Sequence, residues 1–445
     1  MTWTFWYPTA RNIAVRPFCF AAVTTLGLTL GAPTRADEIL YNFTGPGAGA
    51  WPNSSLIADS HGALYGTTQG NFAPGNSPLG IDCAPPVHPP SPYCSGTVFK
   101  LTPPAKKGDP WGYAVLHTFV GGTADGVGPM GGLVLDSSGA LYGTTFNGGA
   151  RDRGIVFKLT PPNWKMDILH SFTGGPDGSN PMAGLIFDPA GNLFGTASLG
   201  GAVSPQHEYG CGTVFRLAPP NWTLSVAYEF TCGADGGYPQ NAVTRDQSGA
   251  LFGCTQDFGN ATSKGTVYQL RPTFTPFVFA EFTLYSFSGT DGWGCNSNLV
   301  MDPTGAIFGT SGAGSGGFGE IFKLTPPTLT VLHSFGQCSG GGCTCQTDGC
   351  SPSGLILEGG KLYGVAFSGG ASGNGVIYKL TPPSWTYAGI HAFAGTPDGA
   401  GPLGIAFDSG VLIGVTQSGG NNTATVDCAS GCRTISWGSA YAQPP

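Results

Sequence analysis

Leu141-Tyr142-Gly143-Thr144-Thr145 is a phrase that this chain states seven times. It stands also as Leu64-Tyr65-Gly66-Thr67-Thr68, and returns as Leu193-Phe194-Gly195-Thr196, Leu251-Phe252-Gly253, Ile307-Phe308-Gly309-Thr310, Leu362-Tyr363-Gly364 and Leu412-Ile413-Gly414. A repeat every 50 to 60 residues or so, roughly, means one supersecondary unit stacked on copies of itself. That reading overrides the expectation that so long a chain forms about three ordinary domains.

Working outward from the phrase, each unit contains four short strands. The first is Leu133-Val134-Leu135-Asp136 and its copies, each closing on a carboxylate: Asp59, Asp136, Asp188, Asp246, Asp302, Glu358 and Asp408. A D-x-x-G turn leads into the Tyr/Phe-Gly phrase as second strand. The third is the Val-Phe-Lys-Leu phrase, beginning at Val98, Val156, Val214, Val267, Ile321 and Ile377, and a Pro-Pro break follows it in five units. The fourth is the Leu-His-Ser-Phe phrase, ending at Phe119, Phe172, Phe230, Phe287, Phe335 and Phe393. Four antiparallel strands repeated seven times without helical periodicity describe an all-β fold, a seven-bladed β-propeller.

The two ends set the phase. The seventh unit places its third strand near Cys432 to Trp437, which leaves eight residues and no Leu-His-Ser-Phe copy. The missing copy is Ile39-Leu40-Tyr41-Asn42-Phe43, so residues 38–43 are expected to complete the last blade and remove an exposed sheet edge. A straight β-solenoid is the alternative, and it would not need a final strand supplied by its beginning.

Residues 1–36 read as an export signal: Arg11 and Arg16 precede an apolar run from Phe18 to Leu30 and a small-residue site at Thr34-Arg35-Ala36. The run is short for a membrane span. The expected organisation is a signal peptide over 1–36, one propeller domain over 37–437 and a short tail over 438–445. Removing the signal takes away three arginines and no acid, leaving 15 basic against 25 acidic residues, a balance that argues against a nucleic-acid partner. Gly and Pro number 75 and 37, and the glycines sit at fixed offsets between apolar strands, as turn residues do. Twelve of the 13 cysteines remain after cleavage, an even number that in an exported protein implies disulfides. Cys83 with Cys94, Cys428 with Cys432, Cys211 with Cys232 and Cys254 with Cys295 are the expected pairs, and Cys338, Cys343, Cys345 and Cys350 make two more.

The combined pattern of Asp-Gly, Gly-Leu, Leu-Tyr-Gly-Thr-Thr and Gly-Thr-Val-Phe-Lys-Leu resembles the GloVer tandem-repeat family of exported bacterial proteins, whose members carry a choice of carboxy-terminal sorting anchors. The resemblance runs from about Asp37 to Trp437. It implies export and brings no catalytic residue with it. The tail Gly438 to Pro445 shows neither a hydrophobic anchor nor a basic cluster, so release rather than surface attachment is expected.

Three residue sets recur and invite chemistry. His117, His170, His333 and His391 share one outer-strand position with Tyr41, Tyr228 and Tyr285. One residue per blade at the rim cannot converge on one ion, so packing is favoured over a metal cluster. The carboxylates after the first strands fit turn chemistry, because Asp bonds the backbone two residues on while Gly takes the positive φ. The crossover pairs Asp125-Gly126, Asp177-Gly178, Asp235-Gly236, Asp291-Gly292, Asp348-Gly349 and Asp398-Gly399 are too sparse for the six to eight or so oxygens of calcium. Trp111, Trp164, Trp222 and Trp385 read as edge packing before sugar platforms. The glycines of the Tyr-Gly phrase are expected to mark close approach of neighbouring blades.

The unrepeated residues gather in loops on one face: 69–95, 198–210 and 336–352. Long irregular loops on a rigid scaffold are where binding resides. His207, Glu208, Tyr209, Arg245 and Trp293 are the candidate ligand-binding residues. The reading is a secreted or periplasmic, non-enzymatic monomer without cofactor or membrane span, binding a glycan or protein through its loop-rich face. The alternatives are a propeller enzyme, a lactonase or lyase with its site at the channel mouth, and a structural envelope or biofilm component.

Overall fold

The computed structural model describes residues 38–43, 51–70, 96–106, 108–201, 203, 206–259, 263–275, 277–314, 317–339, 342–345, 347–408, 410–420, 423–426, 433–436 and 439–443. They form seven four-stranded antiparallel sheets set in a ring as the blades of a β-propeller. Blade two is typical: Val134–Leu135 pairs with Leu141–Thr145, that with Ile155–Thr160, and that with Lys165–Ser171. The signal reading over 1–36 lies outside the described residues.

Each letter of the repeated phrase has its own partner. Tyr142 donates to the Asp136 carboxylate at 2.9 Å, while Asp136 also accepts from the amides of Ser138 and Ala140 and so closes the turn whose Gly139 has φ of 83°. Gly143 lies directly opposite Phe157, and a Cβ there would stand 2.6 Å from the ring. Thr144 donates 2.9 Å to the Ala183 carbonyl of the next blade, a bond repeated by Thr196 to Asn241 and Thr67 to Gly131. The glycines therefore answer an aromatic ring of their own blade. This corrects the expectation that they mark an approach between blades, a role that falls to the threonine. Blades six and seven also depart from the D-x-x-G pattern, because Glu358 pairs with Lys361 and Asp408 with Val411 across shorter turns.

The core is divided into clusters, each shared by two blades. The fourth-strand Phe of every blade meets the third-strand aromatic of the next: Phe119 on Phe157, Phe172 on Phe215, Phe230 on Tyr268, Phe287 on Phe322, Phe335 on Tyr378 and Phe393 on Tyr441, with centroids 5.0 to 5.7 Å apart. Phe43 on Phe99, at 5.0 Å, closes the circle. Trp164, Trp222 and Trp385 lie on Tyr65, Tyr142 and Phe308 of the preceding blade, which makes them staples between blades.

The last blade is built as the ends of the chain foretold, with one correction. Residues Glu38–Asn42 pair with Ser439–Gln443 as the outer strand, and the register skips Leu40 where blade two skips Leu169. The third strand is Ser439–Gln443, however, and not Cys432 to Trp437. Tyr441 stands opposite Gly414 as Phe157 stands opposite Gly143, so the register leaves no choice. Residues 433–436 instead pair with 423–426 in a separate hairpin. Five residues of the expected tail are thus blade, and the domain runs beyond 437.

Candidate functional site

The first strand of each blade begins on the face that carries the crossovers and the loops between second and third strands. Counting six residues back from each closing carboxylate gives Asn53, Met130, Met182, Gln240, Asn296, Pro352 and Pro402, one per blade. Six of these, all but Pro402, line a cavity of about 350 Å³ at the mouth of the central channel. Asn241, Gln256, Ser351, Ser353, Phe367 and Leu403 line it with them. No lining residue among those described carries a charge.

The walls differ in chemistry. Blades two and three supply the half-buried thioethers of Met130 and Met182, whereas blades four and five supply the amides of Gln240, Asn241, Gln256 and Asn296. Asn241 spends its Nδ2 on the Cys295 carbonyl at 2.7 Å. Among the described residues, none hydrogen-bonds the side-chain amides of Gln240, Gln256 or Asn296. The disulfide Cys254–Cys295 braces this wall across blades four and five.

Three consecutive residues tie the cavity to the rim. Gln256 lines the cavity, Asp257 accepts from the Trp293 indole Nε1 at 3.1 Å, and Phe258 takes the edge of the His207 ring at 4.9 Å. Lys264 covers one face of Trp293 with its ammonium 3.5 Å from the centroid, and Trp293 remains 39% exposed. The same Phe258 meets Tyr238. His207, Glu208 and Tyr209 occupy a turn closed by the Gly210 amide on the His207 carbonyl, with Tyr209 exposed. The structure so brings four of the five candidates to one sector of the loop-rich face. Arg245 is not among them: it precedes the Asp246 turn at the other end of its strand, with its guanidinium over Gly249.

A nitrogen of His207 and the sulfurs of Cys211 and Cys232 lie within 4.8 Å of one another. The sulfurs are joined in a disulfide, which leaves no thiolate there for an ion. Cys345–Cys350 is also bonded, and Cys338 faces Cys343 in the register of a small hairpin. Cys83, Cys94, Cys428 and Cys432 lie outside the described residues, as do 71–95 of the first long loop.

The rim histidines and the crossover acids, read as separate sets in the sequence, are partners. His117 meets Asp125 at 3.2 Å, His170 meets Asp177 at 2.9 Å, His333 meets Asp348 at 3.0 Å and His391 meets Asp398 at 3.1 Å. Tyr228 and Tyr285 bond Asp235 and Asp291 in the same way. Asp125, Asp177, Asp235 and Asp398 also accept the amide just after the fourth-strand Phe, so each acid latches a crossover to its blade. A spacing of six to eight residues, which every pair but His333 with Asp348 keeps, was the available signal. Burial alone would raise the Asp398 carboxyl, but hydrogen bonds from His391 and Ala394 hold it below its ordinary value. Burial lowers the His333 imidazole despite the opposing Asp348.

Residues 90–283 and 203–426 match the Gloeobacter/Verrucomicrobia repeat. The chain belongs to that repeat family. No curated protein matches it in sequence. Among solved structures it is similar to a provisionally assigned 6-phosphogluconolactonase from Bacteroides uniformis ATCC 8492, at 13% identity and TM-score 0.47 over 85% of this chain and 95% of that one. It is similar also to a gluconolactonase from Xanthomonas campestris, at 12% identity and TM-score 0.38 over 74% and 91% of the two chains. A third is PorZ, a surface component of the type-IX secretion system of Porphyromonas gingivalis, at 14% identity and TM-score 0.46 over 88% of this chain and 47% of that one.

Proposed function

We propose that this member of the repeat family is an exported, non-enzymatic binding protein that takes the end of a glycan into the axial cavity, with Trp293 as a stacking platform on the rim. The observation that carries this reading is the uncharged lining with unspent amide groups. Hydroxyl-rich neutral ligands are held by hydrogen bonds to such groups and by contact with aromatic faces, and a cavity at the low end of the roughly 300–1,000 Å³ of small-molecule sites suits one or two sugar rings. Trp293 has one face under Lys264 and its indole edge fixed by Asp257, so the platform is oriented before a ligand arrives. A lactonase would call for acids or imidazoles at the channel mouth, and the described lining offers neither. Disulfides and the lack of any helix long and apolar enough to cross a membrane among the described residues are compatible with a periplasmic or extracellular setting.

The test is binding of purified protein to an array of neutral and acidic oligosaccharides, beside Trp293→Ala and Gln256→Ala. Retention of neutral glycans, weakened at least tenfold in one of the variants at unchanged thermal stability, is expected. Full retention in both variants, or turnover of a lactone by the wild type, overturns the reading.

A further inference from the structure

We infer that the axial cavity is specific for an N-acetylated hexose, an inference that rests on the glycan reading above and names the sugar class. The ring of positions entering the inner strands is chemically split: Met130 and Met182 form an apolar wall on blades two and three, and Gln240, Gln256 and Asn296 continue the lining on the adjacent blades four and five. A plain hexose presents hydroxyls on every edge, so two thioethers would leave some of those hydroxyls buried without partners, which weakens binding. An acetamido group has the complementary polarity. Its methyl has no hydrogen bond to lose against thioether carbons, and its N–H and C=O each find an amide of the opposite kind.

The geometry of the amide wall is fixed before binding. Asn241 is oriented by its bond to the Cys295 carbonyl, and the Cys254–Cys295 disulfide ties the two blades that carry the amides. Gln256 packs against Gly294, where a side chain would have to displace its Oε1 from 2.7 Å. The uncharged lining also disfavours sugars that bring a carboxylate, because no described cation balances it within the cavity.

The experiment is calorimetric titration of the full exported chain with chitotriose, cellotriose and the disaccharide of N-acetylglucosamine and N-acetylmuramic acid. Chitotriose is expected to bind at least tenfold more tightly than cellotriose. Met182→Asn, which puts an amide in the apolar wall, is expected to shrink that preference at least threefold, and Gln256→Ala to weaken chitotriose at least tenfold, both with the wild-type melting temperature. The muramic disaccharide, which brings a carboxylate, is expected to bind more weakly than chitotriose; binding as tight as chitotriose overturns the exclusion of acidic sugars by the uncharged lining. Equal affinity for chitotriose and cellotriose overturns the inference and leaves the glycan reading standing. Binding of none of the three, with no neutral glycan retained on the array, overturns both. A Met182→Asn protein that keeps the full preference overturns the assignment of the apolar wall.

Discussion

Gly143 meets a strict packing demand at a single residue. The Phe157 ring lies where its side chain would be, and Leu133 closes the same space from the inner strand. Gly66 and Gly195 stand in the same relation to Phe99 and Phe215, at 2.6 and 2.5 Å. Gly143→Val is therefore expected to destabilise the protein by about 3 kcal/mol or more, at the upper end of overpacking, read as a shift in denaturant midpoint. A change within ~0.5 kcal/mol would refute the packing assignment. Residues also set the response to acid. The neutral His333 imidazole is favoured in the fold, so its contribution is complete above the unfolded value of 6.5 and is lost as pH falls from there towards the lower folded value. The carboxyls of Asp59, Asp136, Asp291, Asp302 and Asp398 are held below 3.8, and their contribution is lost only as pH falls below that value. Melting temperature should fall in two stages between pH 8 and pH 2, and His333→Gln should remove part of the upper stage only. A profile flat from pH 7.5 to pH 5 would contradict the first stage.

At the scale of the element, most strands were legible because two phrases encode their own pairing. The D-x-x-G turn and the Tyr-Gly run name a hairpin, whereas the in-blade aromatic opposite the glycine and the threonine's link to the next blade came from the structure. The strand Ser439–Gln443 was not legible, since Ser-Ala-Tyr-Ala-Gln keeps only the aromatic of Val-Phe-Lys-Leu, and the β-branched Arg433–Ser436 drew the assignment instead. The axial cavity escaped for the opposite reason. Its residues differ from blade to blade, so no repetition marks them, although the closing carboxylates locate them once the units are aligned. Disulfides reinforce particular elements. Cys211–Cys232 ties the third strand of blade three to its fourth across 21 residues, and Cys254–Cys295 joins blades four and five across 41. Mass spectrometry of the unreduced protein should find no free thiol at these four positions, and Cys211→Ser with Cys232→Ser should cost about 2–4 kcal/mol. Free thiols at Cys211 and Cys232 would count against the assignment.

The whole molecule depends on joining its two ends. Each blade buries its fourth-strand Phe against the next blade, so an open array would expose one such face at either end, and closure removes both. The junction is made by Phe43 on Phe99, by Tyr41 stacked on Tyr113 at 4.2 Å, and by Leu40 and Ala440 packed with Leu56, Leu64 and Ile413. Phe43 and Phe172 occupy equivalent positions, both fully buried, but only Phe43 draws its neighbours from opposite ends of the chain. If closure is a full interface, Phe43→Ala and Phe172→Ala should each cost about 3–5 kcal/mol, with the same denaturant midpoint within error. Deletion of 38–43 and deletion of 439–445 should then both abolish a single cooperative transition, because each removes a whole strand from the same sheet. A fold whose ends merely fray would give a different pattern: Phe43→Ala would be nearly silent beside Phe172→Ala, and the amino-terminal deletion would leave the main transition in place. Equilibrium unfolding of the four variants distinguishes these outcomes, and the second would sink the closed ring while leaving the six internal blade junctions untouched.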